Sequence, residues 1–302
     1  MALPFTKVEG LGNDFLVVDL RPGRPGAAAS GPSPEDPAVV RALCDRRFGV
    51  GGDGVLAILP SKTADARMRV LNADGSEAEM CGNGIRCVAK LLHDTDPTLR
   101  RPTLRIETGA GVLALKLDVQ ADGVRTVEVD MGRPRLTRDE IPILPQGTTR
   151  VLREPISARG RTFHLTAVSM GNPHAVIFVD DPASLHPLAE EFGALFERAE
   201  RFPRRTNVEF AYVRPDGEID LVVWERGSGI TMACGTGACA TVVAACLEER
   251  LAPGRETTVH LPGGPLSIAV AADYSTVHMR GPARSLFEAS IDVARLMSPT
   301  AV

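Results

Sequence analysis

Lysine is nearly missing from this chain: Lys7, Lys62, Lys90 and Lys116 are the full set, and arginine supplies the rest of the 34 basic residues. A pyridoxal phosphate enzyme holds its cofactor on a Schiff-base lysine, and none of the four stands in an evident phosphate-binding context. Aromatic residues make up only 4% of the chain and its net charge is −4, so the basic footprint of a nucleic-acid binder is lacking. No apolar run reaches the roughly 18 residues of a membrane span. Met1–Lys7 has neither the charged start nor the apolar stretch of a secretory signal. The expectation is therefore a cytoplasmic protein with reduced thiols. Six cysteines in 302 residues are too few for a disulfide scaffold. There is no Cys-x-x-Cys, and the Cys81/Cys87 and Cys234/Cys239 spacings match no common zinc site. No metal is expected.

What is present is a short element used twice, about half a chain apart. Cys81-Gly82-Asn83-Gly84 and Cys234-Gly235-Thr236-Gly237 each precede a run that reads as a helix, Ile85–Leu92 and Ala238–Leu247. Glycines let the backbone approach a ligand and turn sharply into a helix. A helix entrance presents N–H groups and partial positive charge, which suits a carboxylate or phosphate. A thiol placed there has its pKa lowered, so it can serve as base or nucleophile. Two such elements facing one another would set one thiol on each side of a bound anion. That suits taking a proton from one face of a carbon and returning one to the other.

The remaining pattern places these elements. Phe5–Leu20 reads as strand, Gly-rich turn, strand, with Asn13 in the turn. Pro, Gly and Ala dominate residues 21–37, an exposed insertion. A helix follows over Pro37–Arg47 with Asp36 as its cap, and Cys44 is core filler within it. Gly-rich Phe48–Gly54 leads into the strand Val55–Leu59, and Met68–Leu71 leads into the polar turn Asn72–Glu77. Strands at Leu104–Thr108, Val112–Val119 and Val124–Asp130 close the first half. The second half repeats the order. It has strands at Thr162–Val168 and Ala175–Val179 around Gly171-Asn172-Pro173-His174, a helix over Leu185–Glu200, and strands at Asn207–Val213 and Ile219–Trp224. Glu225-Arg226 then sits before the second cysteine element. A surface ion pair contributes little, but at this place the two could clamp an amino group and a carboxylate. Cys87, Cys239 and Cys246 fall inside helices and read as buried filler.

Taken together, Asn72-Ala73-Asp74-Gly75-Ser76-Glu77, Cys81–Cys87, Gly171-Asn172-Pro173-His174, Glu225-Arg226-Gly227 and Ala233–Ala238 resemble the diaminopimelate epimerase family, from Phe5 nearly to the C-terminus. The resemblance implies interconversion of LL- and meso-2,6-diaminopimelate, in lysine and peptidoglycan precursor synthesis, without pyridoxal phosphate or any other cofactor. It implies an α/β (α+β) fold of two pseudo-symmetric domains, residues 1–131 plus 282–302 and residues 132–281. Each would be a β-barrel-like mixed sheet wrapped around a central helix, with the active site in the interdomain cleft. Cys81 and Cys234 would be the acid/base pair, supported by His174 and Glu225. Asn13, Asn72, Asn172, Asn207, Glu225 and Arg226 match substrate-binding positions. The amides of Gly82-Asn83 and Gly235-Thr236 would hold the α-carboxylate. Gly54 stands at a substrate contact that is glutamine in some members. Ile230 stands where members usually carry glutamate, and Phe287 where several carry tyrosine at a homodimer interface. A proline or hydroxyproline racemase-type enzyme shares this fold but has histidine where this chain has Asn83. The phenazine-biosynthesis isomerase type lacks the paired thiols. From another class, a non-catalytic binding homologue would not need both Cys-Gly-x-Gly elements.

Overall fold

In the computed structural model, which describes residues 2–29, 31–121 and 123–298, the chain forms two compact units, Met1–Val129 with Gly281–Val302 and Asp130–Arg280. Chain order in the first half is β1 (Leu3–Gly10), β2 (Asn13–Asp19), α1 (Pro37–Cys44), β3 (Gly54–Leu59), β4 (Ala66–Asn72), β5 (Glu77–Ala78), α2 (Gly82–Thr95), β6 (Thr103–Thr108), β7 (Gly111–Gln120) and β8 (Gly123–Asp130). The second half runs β9 (Glu154–Ala158), β10 (Arg161–Ser169), β11 (Pro173–Phe178), α3 (Leu185–Glu197), β12 (Asn207–Val213), β13 (Ile219–Glu225), β14 (Gly229–Ile230), α4 (Gly235–Leu247), β15 (Glu256–Leu261), β16 (Gly264–Val270) and β17 (Val277–Pro282). The chain then returns to the first unit with β18 (Arg284–Ile291) and α5 (Val293–Met297). Among the described residues no helix is long and apolar enough to cross a membrane.

The two units are built to one plan. In the first, the strands lie in the order β18–β1–β2–β3–β4–β6–β7–β8, every neighbouring pair antiparallel except β2–β3 and β4–β6, which are parallel. In the second, β9–β10–β11–β12–β13–β15–β16–β17 repeats that order, with β11–β12 and β13–β15 parallel. β5 and β14 each add two residues beside β4 and β13, immediately before the cysteine elements. Helix α2 packs against β1, β2, β3, β4, β6, β7 and β18, and α4 against β10, β11, β12 and β16. The strands therefore curl about a central helix, but the sheet is not closed; the barrel-like expectation holds for the curl and not for closure.

Burial follows from what covers each strand. β6 and β8 alternate buried and exposed positions because one face packs inward. β3 lies between α1 and α2, and β12 between α3 and α4. Both faces of these strands are covered, so Gly54–Ile58 and Asn207–Ala211 are buried without a break. The α4 sequence is apolar all round because sheet surrounds it. In the second unit the scarce aromatics gather: Phe163 meets Phe192, Phe196 and Phe210 edge-on at centroid distances of 4.9, 5.6 and 6.3 Å. Ile230 packs against the same core beside Trp224.

Two helices stop short of their expected ends. Asp36 does cap α1, accepting from the Ala38 N–H, an interaction of about 1 kcal/mol. The helix ends at Cys44 rather than Arg47 because the Asp45 carboxylate takes the N–H groups of Arg47 and Phe48 at 2.7 and 2.8 Å, turning the chain. The α3 helix ends at Glu197 rather than Glu200, and that last residue has another role.

Candidate active site

In the first unit, Cys81 is the N-cap of α2. Its backbone is extended (φ −135°, ψ 112°) and its Sγ accepts from the Gly84 N–H at 3.3 Å. The thiol thus sits at the positive end of the helix. One turn on, the fully buried Arg86 donates to the Gly82 carbonyl at 2.9 Å, the Asn83 side-chain oxygen at 2.9 Å and the Pro282 carbonyl at 3.1 Å. Asn83 is itself buried, so its side chain braces the helix entrance from behind. Asn72 ends β4 and donates to the Ser76 hydroxyl at 3.0 Å. Asn13 begins β2 just beyond the Leu11-Gly12 turn.

An ion cluster fixes Asn13 and Gly54 in place. Asp14 is paired with Lys7 at 2.6 Å and Arg46 at 2.5 Å, and Arg46 also reaches Asp53 at 2.8 Å. Burial alone would raise the Asp14 carboxyl, but the hydrogen bonds from Arg46 and Lys7 outweigh it and hold the group below its ordinary range. The backbones cross-link as well, Asp53 N–H to the Asp14 carbonyl at 2.7 Å. At Gly54 a Cβ would lie 2.5 Å from the Leu71 carbonyl oxygen. With β3 and β4 paired as they are in this chain, a side chain at Gly54 has no room.

In the second unit, Cys234 repeats the capping geometry (φ −118°, ψ 106°), with its Sγ accepting from the Gly237 N–H at 3.3 Å. Thr236 Oγ1 is 3.5 Å from the same sulfur and receives the Asn172 amide at 3.3 Å. The Asn172 side-chain oxygen is 3.0 Å from His174 Nε2, and His174 Nδ1 is 2.6 Å from Glu209 Oε1. Both nitrogens of the wholly buried His174 ring are thus engaged. Glu225, ending β13, accepts from the Thr231 hydroxyl at 2.6 Å. Sequence reasoning expects a lowered thiol here, yet burial pushes the Cys234 thiol well up, and the Glu225 carboxylate adds to this. The hydrogen bonds from Thr236 and Gly237 oppose that shift without cancelling it.

Arg226 is exposed on a turn that two buried side chains hold. Asn207 Oδ1 accepts the Arg226 N–H at 2.8 Å while its amide donates to the Pro173 carbonyl at 3.2 Å. Glu197 accepts from Trp224 Nε1 at 2.8 Å and from the Gly227 N–H at 3.2 Å. Arg226 Nη1 donates to the Arg204 carbonyl at 3.1 Å. The structure therefore gathers Asn172, His174, Thr236 and Cys234 into one hydrogen-bonded group, and gives Asn207 a bracing place behind Arg226. Among the described residues no group of three or more His, Cys, Asp or Glu could hold a metal ion.

Glu197 and Glu209 carry no motif, and Arg86 lies inside Cys81–Cys87 with no role of its own in the sequence reading. Glu209 had one usable signal: it stands two residues beyond Asn207 on a strand, and so on the same face.

The other thiols are of a different kind. Burial raises Cys44 and Cys246 to about 11 and Cys87 to about 12. Alkylation with iodoacetamide near neutral pH, followed by peptide mapping, is expected to leave these three unmodified while Cys81 reacts. Early labelling of Cys44, Cys87 or Cys246 would contradict that.

Comparison with known proteins agrees in both sequence and fold. The family model described as diaminopimelate epimerase matches residues 5–137 and 166–286. A diaminopimelate epimerase of Desulfitobacterium hafniense is 49% identical over 286 residues, covering 95% of this chain and 97% of the relative. One from Methanococcus maripaludis is 44% identical, covering 96% and 100%. Among solved structures, a hydroxyproline epimerase from Agrobacterium vitis aligns at TM-score 0.69 with 16% identity, over 96% of this chain and 91% of that one. A phenazine biosynthesis protein from Bacillus anthracis aligns at TM-score 0.67 with 16% identity, over 97% and 99%. At such low identity these two share the fold alone. The sequence matches decide among the enzymes built on it: the chain belongs to the diaminopimelate epimerase family.

Proposed function

We propose that this protein is an isomerase that interconverts LL- and meso-2,6-diaminopimelate, with Cys81 and Cys234 as proton carriers. The observation that carries the reading is the repeated cap. Each unit places a cysteine Sγ 3.3 Å from an N–H in the first turn of its central helix. Inversion needs a thiolate on one face of the α-carbon and a thiol on the other, with roles exchanged in reverse. The negative charge that develops on leaving the α-carbon spreads into the carboxylate. The first-turn amides of Gly82-Asn83 and Gly235-Thr236 are its stabilisers. Arg226, with a planar fork of donors, takes a carboxylate, and Glu225 takes an amino group. Asn13, Asn72 and Asn172 complete substrate recognition, while His174 acts on Cys234 through Asn172 and Thr236.

The two units correspond to two epimerase domains, residues 1–131 with 282–302 and residues 132–281. The same reading makes the protein cytoplasmic, in lysine and peptidoglycan precursor synthesis, and a homodimer. Dimerisation is supported by β18, which leaves Leu286 and Phe287 about half exposed on an outer strand. Purified protein given LL-diaminopimelate, with no added cofactor, is expected to yield the meso isomer on chiral chromatography until both are present. If proline or hydroxyproline is inverted instead and diaminopimelate is left untouched, the reading is wrong.

A further inference from the structure

The two helix entrances are matched in backbone and differ in what lies beneath them. In the first unit a Cβ added at Gly84 would meet Leu56 side-chain carbons at 3.0 and 3.1 Å. At the equivalent Gly237 it would meet Glu209 Oε1 at 3.0 Å and Cys234 Sγ at 3.2 Å. Strand register gives the same equivalence. Phe15 stands opposite Gly54 as His174 stands opposite Asn207; two residues on are Leu56 and Glu209. The fold thus accepts leucine at this place, yet the second unit carries a carboxyl there, wholly buried.

We propose that Glu209 is a positioning residue for the second thiol: as a neutral carboxylic acid it fixes the ring tautomer of His174 and so turns a chain of donors toward Cys234. The Asn172 amide has its oxygen toward His174 Nε2 and its nitrogen toward Thr236. That orientation requires a proton on Nε2. Nδ1 then accepts the Glu209 proton across 2.6 Å. Thr236 Oγ1, already accepting from Asn172, has its own proton left for Cys234 Sγ. Joined by the Gly237 N–H, two donors converge on the sulfur. They favour charge on it at the moment Cys234 gives up its proton.

The neutral form of Glu209 follows from what faces it. Its partners are His174 from β11, Glu225 from β13 and Cys234 from the α4 entrance. Oε2 is buried with no hydrogen-bond partner. An ionised carboxylate with one bare oxygen, near a second carboxylate, is costly to bury. Burial pushes the Glu209 carboxyl upward and Glu225 adds to that shift, together outweighing His174 and the Ala175 N–H, which pull it down.

The inference rests on Cys234 being a proton carrier, so its test includes a reading made without substrate. Glu209→Leu reproduces the side chain of the first unit; Glu209→Gln keeps a neutral donor toward Nδ1. Glu209→Leu is expected to lose about tenfold or more in kcat with KM little changed. Its Cys234 should be alkylated by iodoacetamide about fivefold more slowly relative to Cys81 in the same molecules, as a thiolate deprived of a donor predicts. Glu209→Gln is expected to stay within about threefold of the parent in both readings. Loss of activity in Glu209→Gln, faster alkylation of Cys234 in either variant, or a Glu209→Leu enzyme like the parent would overturn the proposal. If Glu209→Leu does not fold, Glu209→Gln decides alone. If neither variant nor parent epimerises diaminopimelate, the alkylation ratio still tests the donor chain.

Discussion

Cys81→Ala and Cys234→Ala are each expected to reduce epimerisation by about a thousandfold or more, since each removes one of the two proposed proton carriers. The two thiols occupy equivalent caps in units of the same topology, and neither unit has a second thiol at its helix entrance. The labelling pattern follows from the same logic. With one base, the proton removed from the α-carbon is often the one returned. With two, the carrier on the opposite face delivers a solvent-equilibrated proton. Early in a reaction run in heavy water, the product should therefore carry deuterium at the inverted centre while remaining substrate stays unlabelled. Mass spectrometry of the separated stereoisomers reads this directly. Deuterium appearing in recovered substrate as fast as in product, or efficient turnover by either alanine variant, would remove the pair from this role.

Arg226→Lys is expected to lower kcat/KM by roughly a hundredfold, about 2.7 kcal/mol at the transition state. The side chain is exposed, but its backbone is held by Asn207 and the following Gly227 by Glu197. The turn is rigid where the guanidinium begins. A lysine would keep the charge and lose the planar fork that pairs with a carboxylate. Glu197→Gln should raise KM by only about threefold, because it loosens the turn without removing a substrate contact. Unchanged circular dichroism beside the lost activity of Arg226→Lys would place the effect at the site. Near-parental kinetics in that variant would free Arg226 of the role.

Much of this architecture was legible in the chain because its elements are punctuated. The Cys-Gly-x-Gly pairs announce both central helices, although these begin at Gly82 and Gly235, three residues before the runs Ile85–Leu92 and Ala238–Leu247, because the glycines already belong to the first turn. The unbroken apolar run Val55–Leu59 announces a strand covered on both faces, and the alternation in Val124–Asp130 announces one covered on a single face. Candidate site residues with a polar side chain in a turn, such as Asn72 and Arg226, stand out for the same reason. The residues that support them do not. Glu197 is the last residue of a helix and reads as one more solvated charge, yet it is 2% exposed because Trp224 and Gly227 fold over it. Glu209 stands in a strand that is apolar or aromatic beyond Asn207, and only the pairing of β11 with β12 brings His174 to it. The thiol chemistry also depends on depth. A helix entrance lowers a cysteine pKa, but 5% exposure at Cys234 and the nearby Glu225 carboxylate reverse the sign. Spacing along a chain reports which groups share a face; it does not report how much water they keep.

The strand that completes the first unit is made last. β18 pairs with β1 from Leu3↔Ile291 to Glu9↔Arg284, so residues at opposite ends of the chain are hydrogen-bonded neighbours. The second unit has no such debt to the future, because its outer strand β9 precedes β10 and is already in hand. On the ribosome, the second unit can therefore close as soon as its own stretch has emerged. The first must wait, with the β1 edge bare, for roughly ten to thirty seconds after β8 has been synthesised. During that interval β1 offers a row of unpaired backbone groups beside Phe5 and Leu3, the kind of edge that recruits other chains. A nascent chain stalled before Arg284 would carry a finished second unit and an open first one. Emergence of β18, rather than of β8, is then when this molecule becomes safe from its neighbours.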